Sequence, residues 1–150
     1  MKKSLLIMFS FLLVSSVILF GSNEKAQAAS YSSWQHPYGF KKSCKVRVIT
    51  DASTYTKRAT TVDAKIEQNG NCGKLYYAMY LADRNSNTFS IGNGKRGEFS
   101  HSSPWKSFSL RSVHKTQSTT VQVYLFHKKN SDENVETPSA WSKTIKIYGR

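Results

Sequence analysis

The clearest catalytic residue types lie in one short stretch, which contains Lys95, Arg96, Glu98 and His101. In a metal-free ribonuclease a carboxylate takes the 2′-hydroxyl proton, an imidazolium protonates the leaving oxygen, and cations hold the phosphate. Glu98 and His101 are three positions apart, however, and side chains at that spacing do not reliably face the same way in a strand. His101 also lies between two serines. We therefore expect a solvated histidine in an exposed loop, with ribonuclease chemistry as an alternative.

No other set of residues supports an enzyme, a metal site or a cofactor. The four histidines are scattered singly, whereas a metal site needs several ligands that converge. The stretch Gly92–Gly97 is rich in glycine but lacks the strand and helix context of a phosphate-binding loop, so a plain hairpin loop is expected there. The scattered acidic residues offer no pair for glycoside hydrolysis. The prediction is a non-enzymatic protein without metal or cofactor.

The charge balance says more about function than the catalytic residue types do. The 150 residues include 22 Lys and Arg against 9 Asp and Glu, a formal net charge of +13. Basic residues alternate along predicted strands and gather in four predicted loop pairs: Lys41 and Lys42, Lys57 and Arg58, Lys95 and Arg96, and Lys128 and Lys129. Such a surface attracts polyanions, which outside a cell include teichoic acid, nucleic acid and anionic lipid headgroups. A plainer interpretation is charge that maintains solubility and discourages strand edges from pairing.

Aromatic side chains are the second candidate for ligand contact. Their number exceeds what the inward faces of about seven strands require, and exposed flat rings stack on sugars or bases. Trp34 and Trp105 are the candidate ligand residues of this type. Tyr76 and Tyr80 share the face of their predicted strand that points away from the core. That face is either a ligand platform or is covered by residues 29–43, and we favour cover.

The elements that would position these residues follow an N-terminal leader, residues 1–28. Lys2 and Lys3 begin it, residues 5–20 are almost all apolar, and Ala26-Gln27-Ala28 is a small-x-small cleavage site. This pattern predicts a secretory signal peptide that is removed at its end. The apolar run is shorter than the roughly 20 residues of a membrane span. We therefore expect an exported protein, extracellular or wall-associated, with no integral span after cleavage.

The remainder of the chain has the alternation of a β protein. Residues 29–43 show no clean period and are expected to form an irregular segment whose rings dock on the body. Over residues 44–150, polar and apolar side chains alternate in about seven short segments without a convincing helix. This predicts a single antiparallel β-sandwich of immunoglobulin-like or related type. Cys44 and Cys72, the only two cysteines of an exported chain, are most simply a disulfide.

A turn in the middle of the domain suggests a more specific expectation. Asn69-Gly70-Asn71-Cys72-Gly73 separates the predicted strands Val62–Glu67 and Leu75–Leu81, and Asn and Gly accept positive φ. We expect these strands to form a hairpin, which the disulfide joins to the strand that begins at Cys44. The later elements are predicted strands at 88–91, 108–110, 119–126 and 143–147 and a hydrophilic loop at 128–134.

Two features of the chain resemble known groups of proteins. Pro138-Ser139-Ala140-Trp141-Ser142, followed by an alternating strand, resembles the last strand of fibronectin type III and related immunoglobulin-like modules. The leader and the basic body rich in Tyr and Ser resemble small secreted proteins of bacilli and their prophages, which implies a compartment and no site residues.

The combined hypothesis is a secreted, monomeric, non-enzymatic protein. It would bind an anionic extracellular or cell-wall polymer such as teichoic acid, or extracellular nucleic acid, through Lys and Arg loops with aromatic support. A secreted antimicrobial or toxin that acts on competitor envelopes is the alternative, although the sequence contains no amphipathic helix to support it.

Overall fold

The computed structural model describes residues 28–83, 91, 93–129 and 137–149. Within these residues the chain forms strands and turns without a helix, which confirms the all-β prediction. The strands are β1 Ser30–Tyr31, β2 Val46–Thr50, β3 Thr54–Tyr55, β4 Thr61–Gln68, β5 Leu75–Asp83, β6 Lys95–Phe99, β7 Lys106–Ser109, β8 Gln117–Phe126, β9 Ala140–Trp141 and β10 Ile145–Ile147. Residues 1–27 of the predicted leader and most of the predicted elements at 88–91 and 128–134 lie outside the described residues. No helix in the described part is long and apolar enough to cross a membrane.

The strands form two sheets. The four-stranded sheet has the order β1-β2-β4-β7, and the six-stranded sheet has the order β3-β10-β8-β5-β6, with β9 also paired to β8. Every strand pair is antiparallel except β3 with β10, which is parallel. The three two-residue strands β1, β3 and β9 account for the excess over the expected seven, because two residues are too few to show a period.

The core lies between the two sheets. Strand β4 alternates between buried and half-buried residues along its whole length, as a strand with one face on the core does. One buried cluster contains Val62 and Ile66 from the four-stranded sheet together with Met79, Val123 and Ile145 from the six-stranded sheet. Full burial of each such side chain stabilises the fold by about 1.5–3 kcal/mol. Period two in the sequence therefore identified the core-facing residues correctly.

The expected hairpin is wrong, because β4 and β5 lie in different sheets. Strand β4 pairs with β2 and β7, whereas β5 pairs with β6 and β8. The turn itself is as predicted, since Gly70 and Gly73 have φ angles of 90° and 73°. The same kind of turn can join two strands of a hairpin or two strands that belong to different sheets, so the turn alone does not predict a hairpin.

The predicted disulfide is confirmed, but it fastens this crossover and not a hairpin. Cys44 and Cys72 are bonded, with a Cα–Cα distance of 4.6 Å. Nearby, the Asn69 amide nitrogen Nδ2 donates to the Ser43 carbonyl at 2.7 Å, and the Asn69 backbone N–H donates to the Lys45 carbonyl at 3.0 Å. The start of β2 is therefore tied to the connection that leads into β5.

The segment 29–43 extends the edge of the four-stranded sheet. Tyr31 in β1 is the register partner of Ile49 in β2, and Gln35 forms a bridge with Val46. The described contacts of the segment are with β2, with the Asn69 turn through Ser43, with β9 through Gln35 and with the ring of His127 through Phe40, and none of them reaches Tyr76 or Tyr80. The expectation that it covers Tyr76 and Tyr80 is therefore wrong. Tyr80 instead packs edge-on against Tyr124, with ring centroids 5.7 Å apart.

Candidate functional site

The outer surface of the four-stranded sheet carries three exposed aromatic rings and three charged side chains. We call this set the aromatic face, and it consists of Tyr31, Trp34, Arg47, Lys65, Glu67 and Trp105. Arg47 alternates with the buried Val46 and Val48, and Lys65 and Glu67 flank the buried Ile66. Because successive side chains of a strand point to opposite faces, the three charged residues point away from the core.

The cations of the aromatic face lie over its rings. The Arg47 guanidinium carbon is 4.9 Å from the centroid of the Tyr31 ring and 4.7 Å from that of Trp34. The Lys65 Nζ atom is 5.3 Å from the Trp105 ring centroid. These distances are within the range of a favourable cation–π contact. The two tryptophans singled out in the sequence, which come from distant segments, therefore belong to one surface.

Glu67 links the two cations. Its Oε2 atom accepts from Arg47 Nη2 at 2.9 Å and from Arg47 Nε at 3.1 Å, and its Oε1 atom lies 2.8 Å from Lys65 Nζ. Partial burial raises the pKa of the Glu67 carboxyl, but the hydrogen bonds from Lys65 and Arg47 outweigh burial and hold that pKa below its usual range. At neutral pH the aromatic face therefore contains two cations, Arg47 and Lys65, that both contact the same anion, Glu67.

An apolar residue lies beneath these charges. Ile49 points to the same side of β2 as Arg47, and it is fully buried although it lies outside the core cluster. Its register partners are Tyr31 on β1 and Lys65 on β4, and directly opposite residues share a face. Tyr31 and Lys65 therefore flank Ile49, which helps to fix their positions. Even so, Tyr31, Trp34 and Trp105 remain 46%, 43% and 47% exposed.

A second candidate surface lies on the six-stranded sheet and also combines cations with tyrosine rings. We call it the tyrosine groove; it has a volume of about 330 Å³ and is lined by Tyr76, Tyr77, Arg96, Gly97, Glu98, Phe126 and Lys129. Tyr76 is the register partner of both Glu98 and Phe126, so these three share one face. Arg96 belongs to β6 and Lys129 follows the end of β8, the strands on either side of β5. The groove therefore brings together two cations predicted from the sequence.

The acid of the tyrosine groove is already paired. Glu98 Oε1 lies 2.8 Å from Lys74 Nζ, which is 5.5 Å from the Tyr76 ring centroid. The hydrogen bond to Glu98 raises the pKa of Lys74 above its usual value. In the part of the chain that the structure describes, the salt bridges engage Arg47, Lys65 and Lys74 only. Arg96 and Lys129 are therefore not neutralised by a described carboxylate.

Five other predicted cations line neither the aromatic face nor the tyrosine groove. Lys41, Lys42, Lys57, Arg58 and Lys128 are exposed on turns between the strands. The prediction that Lys95 and Arg96 lie in a glycine-rich loop is wrong, because both belong to β6 and pair with Met79 and Ala78 of β5. The glycine there has a packing role: a Cβ at Gly97 would lie 2.6 Å from the Tyr77 hydroxyl oxygen.

The residues considered for ribonuclease chemistry are not assembled. The Glu98 carboxylate is bound to Lys74 on the six-stranded sheet. By His101 the chain has reached the other sheet, where the His101 carbonyl accepts from the Gln68 backbone N–H at 2.9 Å. The described residues also contain no group of three His, Cys, Asp or Glu side chains that could hold a metal ion.

A larger groove of about 550 Å³ lies beside Gln35 and Trp141, and no sequence pattern indicated it. The Gln35 side-chain amide donates to the Trp141 carbonyl at 2.7 Å and accepts from the Trp141 N–H at 3.2 Å. Ser32 Oγ accepts from the Val48 N–H, and Ser142 Oγ accepts from the Val121 N–H. These polar groups join structural elements to one another, which leaves the aromatic face and the tyrosine groove as the candidate sites.

Comparison with known proteins matches the described domain to one family. The family model for the YqgA MG2 macroglobulin domain matches residues 26–148. The chain belongs to this family. MG2 domains are immunoglobulin-like, in agreement with the predicted fold class, whereas nothing supports the narrower fibronectin type III resemblance.

A relative from Bacillus subtilis (strain 168) extends the comparison. The chain is 41% identical to it over 125 residues, which cover 83% of this chain and 86% of the relative, and that protein is named cell wall-binding protein YqgA. This relative agrees with the predicted kinship to bacillus proteins, and its name indicates association with the cell wall.

Proposed function

We propose that this protein is exported, binds the cell wall through an anionic polymer of the teichoic acid class, and performs no catalysis. The observation that carries the proposal is the tyrosine groove, where Arg96 and Lys129 converge on the rings of Tyr76 and Phe126. The name of the Bacillus subtilis relative and the net charge of +13 support the same conclusion.

The groove offers both kinds of contact that a polyol phosphate chain needs. An arginine fork and a lysine ammonium bind phosphate oxygens, the first in a planar geometry and the second as a point charge. The carbon skeleton of the polyol packs against aromatic rings, which supply apolar area. Lys74 is already bound to Glu98, so Arg96 and Lys129 are the cations that a phosphodiester meets. The remaining exposed lysines raise the local concentration of the polymer without fixing its position.

Binding to isolated cell walls tests the proposal. The oxidised protein is sedimented with Gram-positive walls, with and without teichoic acid, at 50 and 200 mM salt. Two phosphate contacts predict roughly a tenfold loss of affinity between these salt concentrations, by analogy with counterion release from nucleic acids. Removal of teichoic acid should abolish this salt-sensitive part.

A matched pair of variants locates the site. Arg96→Ser/Lys129→Ser removes two charges from the groove, and Lys57→Ser/Arg58→Ser removes two charges from an exposed turn elsewhere. We expect about a tenfold loss in the first variant at low salt and less than a twofold loss in the second. Equal losses would assign binding to diffuse charge and contradict the groove. Competition by RNA as strong as that by teichoic acid, at equal phosphate, would contradict a wall polymer as the ligand.

A further inference from the structure

The aromatic face has no part in the proposed electrostatic binding, because its cations are already engaged. Arg47 lies over two rings and is bound through two nitrogens to Glu67. Lys65 lies over Trp105 and is bound to the same carboxylate. A polyanion would have to compete with Glu67 for both cations. Yet the face groups three large aromatic residues on one surface, each nearly half exposed, and grouped exposed rings indicate a binding surface more strongly than single ones do.

We infer that the aromatic face binds an uncharged polysaccharide chain, of the N-acetylated amino-sugar type that forms the backbone of a bacterial wall. The C–H faces of pyranose rings pack on flat aromatic rings. Between the rings, the N–H groups of Arg47 and Lys65 are donors for hydroxyl and acetamido oxygens, which need no net charge to accept. The inference rests on the proposed function in one respect only, which is that the protein meets its ligand at the cell wall.

The geometry favours a polymer over a small molecule. The rings occur in two groups, Tyr31 with Trp34 around Arg47 and Trp105 beside Lys65, and the two groups are joined by Glu67. Tyr31 belongs to β1, at one edge of the four-stranded sheet, and Trp105 directly precedes β7, the strand at the other edge. A chain of sugars that crosses the sheet meets rings at both ends and polar groups between them.

The other possible occupant, a second copy of this chain, fits less well. Two copies that met through this face would bring two surfaces of the same net charge together. Each face contains two cations against one anion, so the contact would bury like charges, which is unfavourable without further partners.

Titration with chito-oligosaccharides, which are uncharged N-acetylated amino-sugar chains, tests the inference on the intact oxidised protein. Tryptophan fluorescence and calorimetry should detect binding that changes less than twofold between 50 and 500 mM salt, because no counterion is released. Trp34→Ala and Trp105→Ala should each weaken binding by about tenfold, as loss of a stacking ring does. Trp105→Tyr should recover most of this loss, since it restores a ring.

The matched control is Trp141→Ala, because Trp141 is 52% exposed but lies on β9, outside the aromatic face. Thermal unfolding of each variant separates lost binding from lost structure. Absence of oligosaccharide binding to the wild type, or equal losses in Trp141→Ala and Trp105→Ala, would overturn the inference. Concentration-dependent dimerisation that Trp105→Ala abolishes would assign the face to self-association and overturn it as well.

Failure of this inference can be told apart from failure of the proposed function. Oligosaccharide binding should be unchanged in Arg96→Ser/Lys129→Ser, and wall binding that resists high salt should persist after removal of teichoic acid. If only the salt-sensitive part of wall binding is missing, the proposed function of the tyrosine groove has failed. If only the salt-resistant part is missing, the inference about the aromatic face has failed.

Discussion

The aromatic face and the tyrosine groove both combine aromatic rings with Arg, Lys and Glu, and they differ in which cations the carboxylate binds. In the aromatic face both cations are bound to Glu67 and lie over rings. In the tyrosine groove Glu98 engages Lys74, and Arg96 and Lys129 line the cavity without taking part in a described salt bridge. In the aromatic face one carboxylate binds both cations, so a ligand meets aromatic rings and hydrogen-bond donors. In the tyrosine groove the carboxylate binds a third cation, Lys74, so the positive charge of the other two remains available to a ligand. The first arrangement suits sugars and the second suits phosphates.

The two surfaces also differ in how firmly their ion pairs are held. The Arg47 and Glu67 side chains are 30% and 21% exposed, while Lys74 and Glu98 are 52% and 48% exposed. An exposed ion pair is screened by salt and must order two long side chains, so it contributes little. We therefore expect the aromatic face to be ordered before its ligand arrives, and the groove to adjust to a flexible polymer.

The largest expected effect comes from the one covalent support that the two surfaces share. The disulfide joins the start of β2, which carries Arg47, to the crossover that leads into β5, which carries Tyr76. Cys44→Ser/Cys72→Ser should lower the free energy of unfolding by about 3–4 kcal/mol for a loop of this length. Denaturant unfolding measures the change. Both kinds of binding should disappear over the same temperature range, and selective loss of one would mean that the two sheets melt separately.

A smaller effect should break the groove and spare the aromatic face. Gly97→Ala places a Cβ 2.6 Å from the hydroxyl oxygen and 2.8 Å from Cζ of Tyr77, and that ring is buried in the core. The ring must move, at a cost of about 1–3 kcal/mol. We expect weaker binding of teichoic acid with unchanged binding of chito-oligosaccharides. Full stability and full teichoic acid binding would mean that the groove tolerates the methyl group.

The sequence predicted the longer strands other than β6, and the disulfide, because both depend on local or exclusive signals. Period two along β4 and β8 identifies core residues such as Ile66 and Val123, since a strand has only two faces. Two cysteines in an exported chain allow one internal pairing. The predicted hairpin was wrong because strand pairing is not a local property. The turn at Gly70 and Gly73 shows that the chain reverses direction, but it does not show which sheet the next strand joins.

The candidate sites needed tertiary structure. Arg47, Lys65 and Glu67 were visible in the sequence only as outward residues of two strands, because their partners Trp34 and Trp105 come from segments far away in the chain. The glycines before and within β6 suggested a loop, because glycine occurs both in loops and at points of close packing. The contact of Gly97 with Tyr77 that distinguishes the two cannot be read from residue order.

A conservative change should sharpen the contrast between the surfaces. Arg47→Lys keeps the charge of the aromatic face but removes the planar fork that touches two rings and binds Glu67 through two nitrogens. Arginine and lysine are not equivalent at such a site. We expect a loss of about 0.5–1 kcal/mol in stability and severalfold weaker oligosaccharide binding, measured by calorimetry. Arg96→Lys in the open groove should change teichoic acid binding less, and the reverse order would contradict the division of roles.

The smallest expected effect follows from the carboxylate that distinguishes the aromatic face. Hydrogen bonds from Lys65 and Arg47 hold the folded pKa of Glu67 below its usual value of 4.5. Its contribution to stability is therefore present above the unfolded pKa and is lost as the pH falls through the folded pKa. The difference in unfolding free energy between wild type and Glu67→Gln should be constant from pH 7 to about pH 5 and shrink below pH 4.5. It should stay under about 1 kcal/mol. Glu98→Gln, at the exposed pair, is the control and should show a smaller difference. An equal pH dependence in both variants would mean that the two carboxylates are held alike, and the contrast between a pre-ordered face and an adjustable groove would then lose its electrostatic basis.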